Sequence, residues 1–295
     1  MRRYLTHGLF FLLGATLSLG ISHFSNARSV LNNKNLFAKQ TPEVIAPYYD
    51  PEVFLKPEGL TNSSSRSAKL KIPIIMYHYV EQVKDHGDFV RKSLNINPHL
   101  FEQQIVNLKE QGYSDYFVKD IPDILAGVVN YASSSAVLTF DDGYEDFYTV
   151  VFPLLKKYNM RATVYIAYNF IGKKGFLTEN QIRELIESDL VEIGSHTLDH
   201  VSLKSARPDV AKEQIFGSKE KLEERFGIKI KTFAYPYGSF DAAAERLVKE
   251  ASYSAAVSVI PGSLQSQDNL FYLSRIRPGL FTGTTVDSAL KEYEH

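Results

Sequence analysis

The stretch Leu138–Phe147 reads LTFDDGYEDF. With the residues before it, SAVLTF forms a compact apolar run suited to a buried strand. Asp141 and Asp142 follow at once, and then Gly143. Neighbours within a strand point to opposite faces, so two adjacent carboxylates there cannot serve one pocket. At the C-terminal end of a strand the backbone turns, glycine relaxes the dihedral limits, and both carboxylates can converge. A single Asp before a helix start reads as an N-cap. Two in succession, directly after an apolar strand, read as a site.

Working outward, strand-like and helix-like segments alternate. KIPIIMYHYV is a short β-rich run near Lys71. NPHLFEQQIVNLKEQG places Phe101, Ile105 and Leu108 at helical spacing and ends at Gly112. YEDFYTVVFPLLKKYN predicts a helix with a kink at or near Pro153. RATVYIAY predicts a strand, and TENQIRELIESD a helix opened by the capping box Thr178–Gln181. LVEIGS follows as a strand, ARPDVAKEQIFGSKEKLEERFG as one long helix, KTFAYPYG as a strand and turn, FDAAAERLVKEAS as a helix and YSAAVSV as a strand. This alternation argues for parallel β/α construction. Six to eight such units would close a barrel, with chemistry at the C-terminal ends of its strands.

A second cluster follows the LVEIG strand: SHTLDH, Ser195–His200. His196 and His200 are four apart, so on a helical turn both imidazoles would share one face. Two of the chain's eight histidines fall in this hexapeptide. An Asp from another strand end would complete an Asp-His-His set, and three protein ligands plus a water are what catalytic zinc needs. The chain has no cysteine, which excludes disulfides and thiolate-held metals. A formal net charge of −1 gives no electrostatic footprint for nucleic acid.

The N-terminus has the pattern of an export signal. Arg2 and Arg3 precede an uncharged, mostly apolar stretch, Gly8 to Ile21, and Ser25 and Ala27 supply small residues at a cleavage site. The apolar run is short for a membrane span, which needs about 20 residues. Residues 1–27 therefore read as a signal peptide or, alternatively, an uncleaved anchor that attaches the chain to a membrane. Either way the remainder is exported: periplasmic, secreted or held on the extracytoplasmic side. Residues 28–70 are polar and turn-rich and read as a linker or extended arm; residues 71–295 form the domain.

TFDDG at Thr139–Gly143, followed by SHTLDH, resembles the polysaccharide deacetylase family, carbohydrate esterase family 4, whose shared region is the NodB homology domain. FAYPYG, Phe233–Gly238, resembles the family's third motif. The resemblance runs from about Lys71 to Arg277. It implies a distorted (β/α) barrel of about seven or eight units and metal-dependent removal of acetyl groups from sugars. It implies Asp141 as general base, and Asp142, His196 and His200 as ligands of a divalent ion, zinc first, with cobalt, nickel and manganese also compatible. The third motif implies an oxyanion-hole N–H at Tyr237, beside Pro236. Among the tyrosines near the motifs, Tyr144 and Tyr237 are placed beside substrate.

Two departures from the family pattern bear on mechanism. Most relatives carry an acid histidine near the C-terminal end, where this chain reads LSRIRPGL and has none. His78, at the end of the first strand of the domain, resembles the acid of the rearranged branch that contains the poly-N-acetylglucosamine deacetylases. The rival reading is a packed strand histidine between two tyrosines. Many relatives also pair the base with an arginine at the start of the third motif, where this chain has Phe233. Arg275 or Arg277 can supply that charge from the last strand, or can form a structural salt bridge instead. The family's Asp-Trp motif is missing, since the chain has no tryptophan, and nothing in the sequence says what holds the acid histidine in register. The expected substrate is an extracytoplasmic polysaccharide, poly-N-acetylglucosamine by resemblance, with peptidoglycan, chitin oligomers and acetylated xylan as alternatives. A non-catalytic carbohydrate-binding surface protein is the alternative of another class, against which the complete ligand set argues.

Overall fold

The computed structural model describes residues 68–84 and 87–278. The expected leader, nearly all of the arm, and His295 lie outside the described residues. Seven strands follow in chain order: β1 (Ile74–Tyr77), β2 (Ser135–Phe140), β3 (Ala162–Ile166), β4 (Val191–Ser195), β5 (Thr232–Ala234), β6 (Ala255–Pro261) and β7 (Leu273–Arg275). Each pairs in parallel with the next. Just past β7 the ring closes on β1: the Ile276 N–H donates to the Ile74 carbonyl (2.7 Å) and the Met76 N–H to the Ile276 carbonyl (2.9 Å). That seam is narrow, and the β6–β7 register slips between Val257 and Pro261. The fold is thus a distorted (β/α) barrel, as the alternation of elements implies.

Strand alternation divides the apolar residues into two layers. Ile74, Val137, Tyr165, Ala234, Val257 and Leu273 fill the barrel interior. Their neighbours Ile75, Leu138, Val164, Ile193, Phe233 and Ala256 face outward, against the helices. Those helices are α1 (Pro98–Glu110), α2 (Phe152–Tyr158), α3 (Glu179–Glu187), α4 (Ser218–Phe226) and α5 (Ala242–Glu250). They present Phe101, Leu155, Leu185, Leu222 and Val248 to the sheet. At roughly 1.5–3 kcal/mol per large apolar side chain fully buried, these layers hold the barrel closed.

Local signals set the helix ends. The Asn97 side chain accepts the His99 N–H ahead of Pro98. Thr178 and Gln181 cap each other reciprocally, and Asp241 accepts from Ala243 and Ala244. The kink expected at Pro153 is a wide turn: Phe147–Val151 is π-helical, and the Phe152 N–H reaches back to the Phe147 carbonyl. A widened turn accommodates a proline that has no N–H and crowds the preceding carbonyls. The long helix expected before Gly227 is likewise interrupted, with a π-helical turn at Glu213–Gly217 ahead of α4.

One segment without a periodic signature has a clear task. Val118, Ile121 and Ile124, in a short helical stretch before β2, join the interior layer and plug the N-terminal mouth. There the buried Glu192 accepts the Lys119 N–H (3.1 Å) and the hydroxyls of Thr163 (2.8 Å) and Thr232 (2.8 Å). With that end plugged, the C-terminal ends of the strands carry the open mouth. No helix among the described residues is long and apolar enough to cross a membrane.

Candidate active site

Asp141 directly follows β2, its N–H donated to the Tyr77 carbonyl (3.0 Å), and its side chain turns inward. Asp142 is left-handed (φ 73°), and so is Gly143 (φ 72°). This reversal, of a kind that Asp tolerates better than most residues, brings the second carboxylate to the same mouth as the first. A β-carbon on Gly143 would also lie 3.4 Å from Ile166 Cγ1. Both carboxylates are buried.

The two histidines come together by a different route from the helical turn that their spacing suggests. Residues 197–199 form a tight turn, with Thr197 (φ 68°) and His200 (φ 55°) both left-handed, and the Thr197 hydroxyl accepts the His200 N–H (2.9 Å). The imidazole centroids are 4.8 Å apart. His196 Nδ1 donates to the Ala234 carbonyl (2.7 Å), which leaves Nε2 as the free lone pair. Asp142 Oδ1 stands 3.4 Å from His196 Nε2 and 3.0 Å from His200 Nε2. It is buried without a hydrogen-bond partner. The three ligand atoms lie within 4.8 Å of one another. One carboxylate oxygen and two imidazole nitrogens converging on an orphaned buried acceptor suit a divalent ion with an open position. Burial would depress the His196 imidazole, but Asp142 and Asp141 outweigh it and hold that group above its ordinary range.

Asp141 is gripped from inside the barrel. Arg275 NH1 reaches Oδ1 (2.8 Å) and NH2 reaches Oδ2 (2.7 Å). Its Nε donates to the Ser258 carbonyl (2.7 Å), and NH1 donates also to the Thr139 hydroxyl (3.2 Å). Arg275 is 2% exposed. Burial alone would raise the Asp141 carboxyl, but the guanidinium outweighs it and holds the group below its usual range. Of the two arginines weighed as partners, Arg275 makes this contact; Arg277 instead donates to the Ser93 carbonyl.

His78 stands across the same mouth, Nε2 3.9 Å from Asp141 Oδ2. Burial pulls its imidazole down to about 4, against the pull of Asp141 and Asp142. Tyr237 is left-handed (φ 59°, ψ 6°) in the short turn Pro236–Gly238, 49% exposed, with its ring edge-on to His200 at 4.5 Å. Gly238 fixes that turn: its φ is 64°, and a β-carbon would fall 2.1 Å from Val259 Cγ2. Pro236 is buried. The Tyr144 ring stacks on Tyr79 at 3.8 Å and meets Phe176 at 5.1 Å. Phe170 continues this wall towards His200.

Phe170, Phe176 and Asp146 were not singled out in the sequence. Asp146 had an available signal, being an acid within the same decapeptide as the pair. The two phenylalanines had none, since backbone contacts such as the bridge between Tyr144 and Phe176 bring their loop to the mouth.

A plugged parallel barrel with carboxylates, imidazoles and a paired arginine at its open mouth suits hydrolytic chemistry. Residues 129–256 match the family model described as polysaccharide deacetylase. The chain is similar to the Streptococcus pyogenes deacetylase PplD, solved in complex with acetate (TM-score 0.70, 29% identity, 77% of this chain and 100% of that one). It is similar to a Bacillus cereus polysaccharide deacetylase structure (TM-score 0.66, 29% identity, 75% of this chain and 69% of that one). It is also 24% identical over 222 residues to the poly-beta-1,6-N-acetyl-D-glucosamine N-deacetylase of Staphylococcus aureus (strain MRSA252), covering 68% of this chain and 76% of that one. The family match at residues 129–256 and the likeness to these solved deacetylases across the barrel support the polysaccharide deacetylase family that the motifs imply.

Proposed function

We propose that the protein is a metal-dependent N-deacetylase of an extracytoplasmic polysaccharide, poly-N-acetylglucosamine, with zinc as the resident ion. The observation that carries this reading is the convergence of Asp142, His196 and His200 beside a base clamped by Arg275. A divalent ion held there would acidify a water and polarise the acetyl carbonyl. Asp141, ionised and fixed, takes the proton as the water oxygen attacks the acetyl carbon. The Tyr237 N–H donates to the developing oxyanion, a contribution typically of about 10² to 10³ in rate. The C–N bond then breaks, acetate departs, and the sugar nitrogen takes a proton from His78. Because burial keeps free His78 neutral near pH 7, it must gain its proton during turnover, and the 3.9 Å between its Nε2 and Asp141 Oδ2 must close to about 3 Å for the base to pass one on.

Two features favour poly-N-acetylglucosamine: the position of His78 ahead of the DDG motif, and the resemblance to the Staphylococcus aureus enzyme of that name. Export rests on the N-terminal pattern alone. The test is acetate release from β-1,6-linked N-acetylglucosamine oligomers by chelated and zinc-restored protein, beside peptidoglycan, chitin oligomers and acetylated xylan. Zinc-restored release on the first substrate supports the proposal. Release confined to another substrate removes the polymer assignment, and metal-independent release removes the metal.

A further inference from the structure

We propose that Asp146 is a positioning residue for His78, fixing its register in a chain that has no tryptophan and so lacks the family's Asp-Trp motif. The inference rests on the reading of His78 as the acid. His78 follows β1, and the peptide on each side of it is tied to the same decapeptide. Before it, the Tyr77 carbonyl accepts the Asp141 N–H (3.0 Å). After it, the Val80 N–H donates to Asp146 Oδ2. The base and its downstream neighbour therefore bracket the acid at two backbone points, one residue before it and two after.

Other contacts make the second point a hinge stop. Tyr79, between His78 and Val80, stacks on Tyr144 at 3.8 Å, and the Arg91 guanidinium lies over its ring at 4.3 Å. Tyr79–Val80 pairs in parallel with Asn95–Ile96, and the Glu81 N–H donates to the Asn95 side chain (3.0 Å). These fix the far end of the segment to a loop outside the barrel. The Asp146 bond ties the backbone at Val80 to the turn that carries Asp141. Asp146 begins the π-helical turn, whose widening places its side chain against that N–H.

The experiment compares two substrates on the zinc-loaded full chain. An N-acetylglucosamine oligomer has an amine leaving group that needs a proton; 4-nitrophenyl acetate has a phenolate that leaves without one. The readout is the ratio of kcat on the amide to kcat on the aryl ester, with KM for the oligomer recorded beside it. Loss of a general acid costs about 10² or more, so His78→Ala lowers the ratio by that factor. Misplacing the acid by about 1 Å costs up to about 10²-fold, so Asp146→Ala lowers the ratio about 10- to 100-fold with KM little changed. Asp146→Asn, which keeps an oxygen for the Val80 N–H, restores it. If Asp146→Ala does not fold, Asp146→Glu, whose oxygens sit one methylene too far out, gives the same reading.

If the ratio falls in His78→Ala but not in Asp146→Ala, the positioning role is wrong while the acid stands. If both rates fall together in Asp146→Ala, the residue only holds the fold. If His78→Ala leaves the ratio unchanged, the acid assignment fails and the positioning role goes with it.

Discussion

Replacing Arg275 by methionine leaves the Asp141 carboxylate buried, 3% exposed, with its cation gone. Two charge-assisted hydrogen bonds, of 2.8 and 2.7 Å, are worth about 1.5–3 kcal/mol each. Breaking a buried ion pair from one side costs about 3–5 kcal/mol, so the two routes agree. Urea unfolding of the chelated protein at pH 7 should show Arg275→Met less stable by roughly 3–5 kcal/mol. Adding Asp141→Asn removes the stranded charge, so the double variant should be more stable than Arg275→Met alone. The pH dependence has a definite sign. In the wild type Asp141 is depressed, so its contribution is complete above the unfolded carboxylate value and is lost as pH falls through the folded one. In Arg275→Met the guanidinium no longer opposes burial, so the carboxyl moves up from its wild-type position. The folded state then binds the proton more readily, and the gap to wild type narrows on acidification. A loss below about 1 kcal/mol, the level of an exposed pair, or a double variant as unstable as the sum of the single ones, would refute the reasoning.

Asp146 is pushed up to about 6, chiefly by burial. A carboxyl raised in the folded state favours folding at low pH, and that advantage is lost as pH rises from about 4 to about 6. The shift from 3.8 to about 6 sets a ceiling of roughly 3 kcal/mol at 1.36 kcal/mol per unit, and Asp146→Asn should flatten this slope in denaturant titrations. Gly238→Ala should cost about 2 kcal/mol or more, from a left-handed turn and a β-carbon 2.1 Å from Val259 Cγ2. Val259→Ala should recover part of that loss in thermal melts. No recovery would mean that the backbone angle, rather than the clash, sets the cost.

What the sequence disclosed was local. The apolar run before Asp141 and the pair of acids lie within one strand end, and SHTLDH lies within one turn, so neighbouring residues carry their signal. The turn geometry was hidden, because four-residue spacing reads as helical while Thr197 and His200 are in fact left-handed. The choice between Arg275 and Arg277 was not decidable from spacing. It depends on barrel closure at Ile276, which puts the last strand beside the first and Arg275 beneath Asp141. The plug at Val118–Ile124 was illegible because its apolar residues face the inside of a barrel rather than one side of a long helix. Asp146 was visible as an acid, but its partner is the Val80 backbone, which no side-chain pattern reveals.

The central claim is that Asp141 performs chemistry on an acetyl group next to an ion held by Asp142, His196 and His200. The most direct measurement is acetate release per bound ion in wild type, Asp141→Asn and Asp142→Ala, with metal content determined on the same samples. The account predicts one ion and full activity in wild type. It predicts one ion with activity lower by about 10² or more in Asp141→Asn, and neither ion nor activity in Asp142→Ala. Undiminished release from Asp142→Ala, or from chelated wild type, would contradict it.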